Sequence, residues 1–220
     1  MPHLLVIGAG PGIAAATARR LGRDGYAVSL VARREDPLAE LAAALRVDGV
    51  PVGWTAADAG DAAGLSGAVQ GLLDATGPVD VLLYNVSVGR MAGIPELSPA
   101  DLAADLAAGA VGLQTGVRAV LPGMRDRGPG TVLVTGGGSA DRPMTSMASL
   151  GVQKAAVRAL AQVQAAALAP YGVHVATVTI RGLVGEGRQV SPQRIADLYA
   201  ELVAETSGPR EHWRSVVDVP

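Results

Sequence analysis

The stretch from Leu4 to Arg34 constrains the chain most. Leu4-Leu5-Val6-Ile7 is a continuous apolar run, Gly8-Ala9-Gly10-Pro11-Gly12 interrupts it, a helical stretch follows from Ile13, and a second apolar run closes at Ala27–Val31. Short runs without polar alternation suit strands buried on both faces, and a helical interval between them suits a right-handed crossover in a parallel sheet. Glycines let the chain turn sharply and bring its backbone close to a ligand. The helix N-terminus then offers free N–H groups and a favourable dipole to an anion. Gly8, Gly10, Gly12 and Ile13 stand where a dinucleotide pyrophosphate would be held, and Ala14 is small enough for close helix–strand packing. A plain glycine-rich turn is the alternative. The strand before the loop, and the helix and strand after it, argue against that alternative.

The same alternation continues. Further strands are expected at Val50–Thr55, Val79–Tyr84, Thr131–Thr135 and His174–Ile180, after His3–Ile7 and Ala27–Val31. Pro51 and Gly53 weaken the third. Helices are expected at Ile13–Asp24, Pro37–Leu45, Asp61–Ala75, Pro99–Met124, Met147–Ala169 and Pro192–Ala204. Asp61, Ser98 and Ser191 serve as N-caps, Pro99 takes the first helical position, and Gly172 ends the long helix before it. The pattern predicts an α/β fold: one Rossmann-type domain over residues 1–220, a doubly wound parallel sheet with helices on both faces. Ligands of such folds lie at the carboxyl ends of the strands.

The end of the second strand reads the ribose. An acidic residue there suits a 2′-hydroxyl. This chain has Ala32-Arg33-Arg34 instead, which removes the carboxylate and supplies two guanidiniums to a 2′-phosphate. The cofactor expected is NADP(H) in preference to NAD(H). Solvated surface charge is the plainer role for both arginines.

Composition excludes several other classes. The formal net charge of −2, with no Lys/Arg cluster, leaves no footprint for a nucleic acid. Cysteine is absent, so disulfides, thiol chemistry and Cys-ligated metals are ruled out. No run of about 20 apolar residues could span a bilayer, and the N-terminus lacks the basic flank of a secretory signal. A cytoplasmic protein without membrane or nucleic-acid partners is expected.

From Leu4 to about Val184 the chain resembles the short-chain dehydrogenase/reductase family. Gly8, Gly12 and Ala14 match its glycine pattern, with Ala in the last place. Asp58 matches its adenine-contacting Asp after the third strand. Tyr84-Asn85-Val86-Ser87 resembles its Asn-Asn-Ala-Gly turn, with Asn85 retained. Lys154-Ala155-Ala156-Val157 is similar to its lysine segment, and Ala167–Val175 to its helix end and sixth strand. Gly182 and Val184 match its Pro-Gly-x-Val segment, with Arg181 in place of Pro; a simple glycine turn is equally consistent. On its own, a Lys on an amphipathic helix is a solvated charge. The resemblance implies instead that Lys154 holds the cofactor's ribose and is the one retained catalytic residue.

The resemblance fails at three places. The family's Tyr, four residues before the Lys, falls on Leu150. Its Ser after the fifth strand falls in Thr135-Gly136-Gly137-Gly138-Ser139, with glycine where the hydroxyl is expected. Its Asn aligns with Gly109. A Tyr one helical turn from a Lys could have its pKa lowered and pass a proton while nicotinamide passes a hydride. Leu150 has no proton to give. Ser139, Ser146 and Ser149 lie near the right loops but lack a base, Thr135 sits deep in its strand, and Tyr84 suits packing beside the adenine. His174 at a strand start reads as structural, and His212 beside Trp213 could fold over the site or meet another subunit.

Two functions follow from this pattern. One is an NADP(H)-dependent oxidoreductase with a degenerate proton-transfer site. The other is an NADP(H)-binding protein that acts as a redox sensor or partner-binding module. The resemblance also implies a homodimer or homotetramer through the helices Pro99–Met124 and Met147–Ala169, which are rich in small apolar residues. Gly185–Ser191 is short for a substrate lid, and Val216–Val219 reads as a short substitute for the family's final strand.

Overall fold

In the computed structural model, which describes residues 1–185 and 187–220, strands and helices alternate in the order β1 (His3–Ile7), α1 (Ile13–Arg23), β2 (Ala27–Ala32), α2 (Glu35–Val47), β3 (Val52–Ala56), α3 (Ala62–Thr76), β4 (Val81–Tyr84), α4 (Pro99–Leu106), α5 (Gly112–Arg127), β5 (Gly130–Thr135), α6 (Ala148–Leu168), β6 (Val173–Ile180), α7 (Pro192–Glu205) and β7 (Val216–Val219). The strands form one parallel sheet in the order β3-β2-β1-β4-β5-β6-β7. Successive side chains of a strand face opposite sides. Leu4 and Val6 therefore join a core with α1, α2 and α7, while Leu5 and Ile7 join a second core with α3, α5 and α6. β1 is buried on both faces, which explains its unbroken apolar run.

The caps work as the sequence predicts. Asp61 accepts the N–H groups of Ala63 and Gly64, Ser98 that of Asp101, and Ser191 that of Arg194. Gly172, at φ +78°, turns the chain from the end of α6 into β6. The third strand starts at Val52 instead of Val50: Val50 N–H bonds back to Leu45 O at the end of α2, and Pro51 has no N–H for the ladder. Helix α2 starts at Glu35, two residues before Pro37; Pro is tolerated in a first turn, where its missing N–H has no partner to lose.

The larger departure lies in the stretch expected as one helix, Pro99–Met124. A π-turn at Ala107–Val111 divides it, and Gly112 N–H reaches back five residues to Ala107 O. This wider turn rests on small residues. A Cβ on Gly112 would overlap both Tyr84 OH and the backbone oxygen of Ala59, and one on Gly109 would overlap the Gln153 side chain. Tyr84 is fully buried beneath the turn and donates to Ala108 O. It is therefore a core residue and does not sit at the edge of a binding site.

The C-terminal segment adds β7 in parallel beside β6, with Arg181 bonded to Asp218 at 2.9 Å and to Asp141 at 2.8 Å. His174 is structural, as expected. It is buried at the amino end of β6, its ring lies against the carbonyls of Leu202 and Arg214, and Trp213 stacks on it with centroids 5.0 Å apart. Trp213 and the exposed His212 are thus at the opposite end of the sheet from the strands' carboxyl ends, and neither folds over the site. Of the segment 185–191, Glu186 lies outside the described residues; Gly185 N–H bonds to Val190 O at 3.0 Å, which draws its two ends together. Among the described residues no helix is long and apolar enough to cross a membrane.

The crowding at Gly112 gives a direct test. Gly112→Ala should lower unfolding free energy by about 1–3 kcal/mol, the usual cost of overpacking, as measured by urea denaturation.

Candidate functional site

The site begins where β1 ends. Gly8 has φ +88°, and a Cβ there would lie 2.7 Å from the Asn85 carbonyl carbon and 2.8 Å from Val86 N. Only glycine allows the loops after β1 and β4 to meet backbone to backbone. The N–H groups of Gly8 and Ala9 both bond to Val31 O, which ties the loop to β2. Gly10 and Gly12 differ: a Cβ on either meets nothing within 4 Å, so both border open space. No side chain caps α1. In its first turn Ala15 N–H bonds to Gly10 O and Ala16 N–H to Gly12 O, which leaves those of Ile13 and Ala14 to receive an anion.

Beside this loop opens a cleft of about 840 Å³ at the carboxyl ends of the strands, where the strand order reverses between β1 and β4. Gly8, Gly10, Arg33, Arg34, Asp58 and Asn85 all line it. Arg19 of α1, which the sequence did not single out, lines it too, with its Nε held by Asp48 at 3.0 Å. Asp58 turns one carboxylate oxygen to Gly60 N–H at 2.8 Å. Gly12 and Ile13 stand at the head of α1 next to the cleft loop. Gly182 and Val184 do not line the cleft; Gly182 packs against Gln189 and Val190, and Val184 bridges to Val190.

Behind the cleft wall lies a hydrogen-bonded floor. Asn85 Nδ2 donates to Gly8 O at 3.1 Å, and Asn85 Oδ1 accepts from Thr135 Oγ1 at 2.8 Å. That hydroxyl in turn accepts from Tyr199 OH at 2.8 Å, since its own proton goes to Asn85. Tyr199 on α7 is entirely buried, and burial raises its phenol pKa. Lys154 is 5% exposed, so it is not a solvated helix charge. Its Nζ donates to Thr135 O at 2.9 Å and Val86 O at 3.3 Å. Burial pushes its pKa down to about 8. The neighbouring Gln153, fully buried, accepts Val88 N–H at 3.2 Å and donates to Asp105 O at 2.8 Å.

The loop after β5 passes over the Lys154 stem. Cβ atoms on Gly136 and Gly138 would crowd the backbone of β6 and Arg181, whereas one on Gly137 would meet only Lys154 carbons at 3.6–3.8 Å, ordinary contact distances. Leu150 lies one turn before Lys154 on α6 and is half-buried. Farther out, Arg90 bonds to Asp105 through Nε and a terminal nitrogen, both at 2.9 Å, and holds that buried carboxyl below its usual pKa. Sequence spacing gives no sign of Gln153, Thr135, Tyr199 or Arg90 as partners. For Gln153, Thr135 and Tyr199 the only signal is polarity at helix or strand positions that are buried; Arg90 stands in a loop and gives none.

A family model described as short chain dehydrogenase matches residues 2–189. The chain belongs to the short-chain dehydrogenase family. It is 30% identical over 168 residues to dehydrogenase/reductase SDR family member 4 of Oryctolagus cuniculus, a match covering 74% of this chain and 64% of that protein. The chain therefore spans less than two thirds of that relative's length. A metagenomic short-chain oxidoreductase solved in complex with NADP is 27% identical, with a TM-score of 0.88 over 99% of this chain and 96% of the other. An alcohol dehydrogenase from the archaeon Thermococcus sibiricus, solved with 5-hydroxy-NADP, is 25% identical, with a TM-score of 0.84 over 100% and 96%.

The buried ammonium has a measurable signature. Its folded pKa of about 8 lies below the unfolded value of 10.5, so the folded state binds fewer protons across that window. Stability contributed at this position should rise as pH increases from about 8 toward 10.5. The expected result is a difference in unfolding free energy, wild type minus Lys154→Met, that grows with pH over this range in urea titrations.

Proposed function

We propose that the protein binds NADP(H) and is an oxidoreductase of the short-chain dehydrogenase type whose proton-transfer site is degenerate. The observation that carries the cofactor half is the single cleft lined by Gly8, Gly10, Arg33, Arg34, Asp58 and Asn85. Its residues fit the group. Open space beside Gly10 and Gly12 meets the head of α1, which no side chain caps, where a pyrophosphate would lie. Arg33 and Arg34 would take the 2′-phosphate and Asp58 the adenine, and Asn85 in the lining with Lys154 behind it would stand on the nicotinamide-ribose side. The NADP complexes of the two similar structures support the same choice.

A nicotinamide, when bound, supplies or accepts a hydride. The chain's own groups have to orient a substrate and manage a proton. Lys154 is committed to two backbone carbonyls, Leu150 offers no acid, and Gly137 and Gly109 offer no side chain. Loss of a positioned acid costs about 10²–10⁴-fold in rate. Slow turnover of carbonyls or quinones that draw their proton from water fits this site. The same losses favour a second reading, a non-catalytic NADP(H)-binding protein that senses redox state or engages a partner. Apolar side chains exposed on the helices, Val111, Val152 and Val163, favour a homodimer or homotetramer through this face.

Three measurements test these readings. Calorimetric titration should give tighter binding of NADPH than of NADH, and Arg33→Ala should weaken NADPH by about tenfold or more, the worth of a hydrogen bond to a charged group. Equal affinities for the two cofactors would sink the assignment. In a screen of NADPH oxidation, Leu150→Tyr combined with Gly137→Ser should raise turnover on the order of 10²-fold. The extended backbone of Gly137, φ −169°, accepts the serine. A parent protein already as fast as the double variant would refute the degenerate site, and no turnover in either would favour the binding module. Light scattering should report a dimer or tetramer; a monomer would contradict the oligomer proposal.

A further inference from the structure

The most unusual feature of the site's floor is one volume claimed by two residues. Gly109 is buried in the π-turn, and a Cβ added to it would overlap Gln153 Cγ and lie 2.8 Å from its Cδ. The Gln153 side chain thus fills the space that any side chain at position 109 would need. It uses both ends of its amide there: Nε2 donates to Asp105 O, just before the π-turn, and Oε1 accepts the N–H of Val88, a residue lining the cleft. A fully buried amide left unpaired would be costly, so both contacts are enforced by burial.

The next residue works on the same segment. Lys154 holds Val86 O, Gln153 holds Val88 N–H, and Thr135 holds the Asn85 side chain. The stretch Asn85–Val88 is therefore pinned from α6 and β5 at alternating points. Of these pins only Gln153 also reaches the π-turn. It couples the Val88 side of the cleft wall to the helix break, while Tyr84 reaches Ala108 O in that break from beneath.

We propose that Gln153 is a positioning residue, which occupies the place vacated at Gly109 and fixes the Asn85–Val88 wall at the Lys154 end of the cofactor cleft. The proposal rests on the NADP(H) reading for its binding consequence, but its geometric core does not. Arg33 and Arg34 hold the other end of the cleft, so the effect should fall on the half of the ligand nearest Lys154 and spare the half nearest the arginines.

The test compares wild type, Gln153→Ser and Gln153→Ser with Gly109→Asn. The serine empties the shared volume and the asparagine refills it from the other side. Calorimetry with NADPH and with 2′,5′-ADP, which lacks the nicotinamide half, should show NADPH weakened about tenfold by Gln153→Ser, the size of a lost hydrogen bond between buried groups. The affinity of 2′,5′-ADP should stay within about twofold, as for a distant site. The double variant should recover NADPH binding. Equal losses for both ligands, or none for either, would overturn the proposal. Wild type that binds neither ligand would instead refute the cofactor reading. In that case, hydrogen exchange in the ligand-free protein still decides the role of Gln153. The Val88 amide should exchange about tenfold faster in Gln153→Ser than in wild type; unchanged exchange would overturn the proposal even if the double variant fails to fold.

Discussion

The structure is organised around one contact between two pieces of backbone. Gly8 leaves β1 against the main chain of Asn85 and Val86, with no room for a Cβ between them. β1 and β4 are neighbours in the sheet although three helices and two strands separate them in the chain. That pairing makes the point where the strand order reverses, and it opens the cleft. A side chain at position 8 would push apart the two loops from which the cleft is built. The other devices of the site serve to hold the far side of this contact: Asn85 bonds back to Gly8 O, and Thr135, Lys154 and Gln153 brace the segment that follows.

Bracing with a buried ammonium is energetically demanding. Removing a charge from water is costly unless the surroundings return hydrogen bonds, and the two carbonyls that meet Lys154 are the last of β5 and one just past β4. Both belong to strand ends whose carbonyls have run out of ladder partners. The lysine satisfies them and is satisfied by them. The same logic accounts for Tyr199, whose phenol reaches Thr135 from α7 on the opposite face of the sheet. The floor of the site is thus tied to both helical layers.

The fold was legible because its signals are local and repeated. Unbroken apolar runs mark strands covered on both faces, and Asp61, Ser98 and Ser191 mark helix starts that the structure confirms by hydrogen bonds. Gly8, Gly10, Arg33, Arg34, Asp58 and Asn85 line one cleft for a similar reason: each stands just past a strand end, and strand ends converge in this topology. Gly182 and Val184, matched by resemblance to a motif, stand in a turn closed on Val190 and do not line the cleft. The π-turn within Pro99–Met124 was invisible, since it depends on what Tyr84, Ala59 and Gln153 place against Gly109 and Gly112. Helical periodicity carries no trace of partners supplied by distant segments. Tyr84 and His212 could not be placed from the sequence for the same reason, as their surroundings come from elsewhere in the chain.

The shared volume at Gly109 and Gln153 has a consequence for how such a site can change by descent. A larger residue at 109 meets an occupied space while Gln153 remains, and a smaller one at 153 leaves a hole and two unpaired backbone groups while Gly109 remains. Each step is unfavourable alone and tolerable only in the company of the other. The two positions are therefore entrenched: once glycine and glutamine occupy them, single substitutions lead downhill in both directions. A lineage that acquired this pair would keep it long after any reason for its origin had gone.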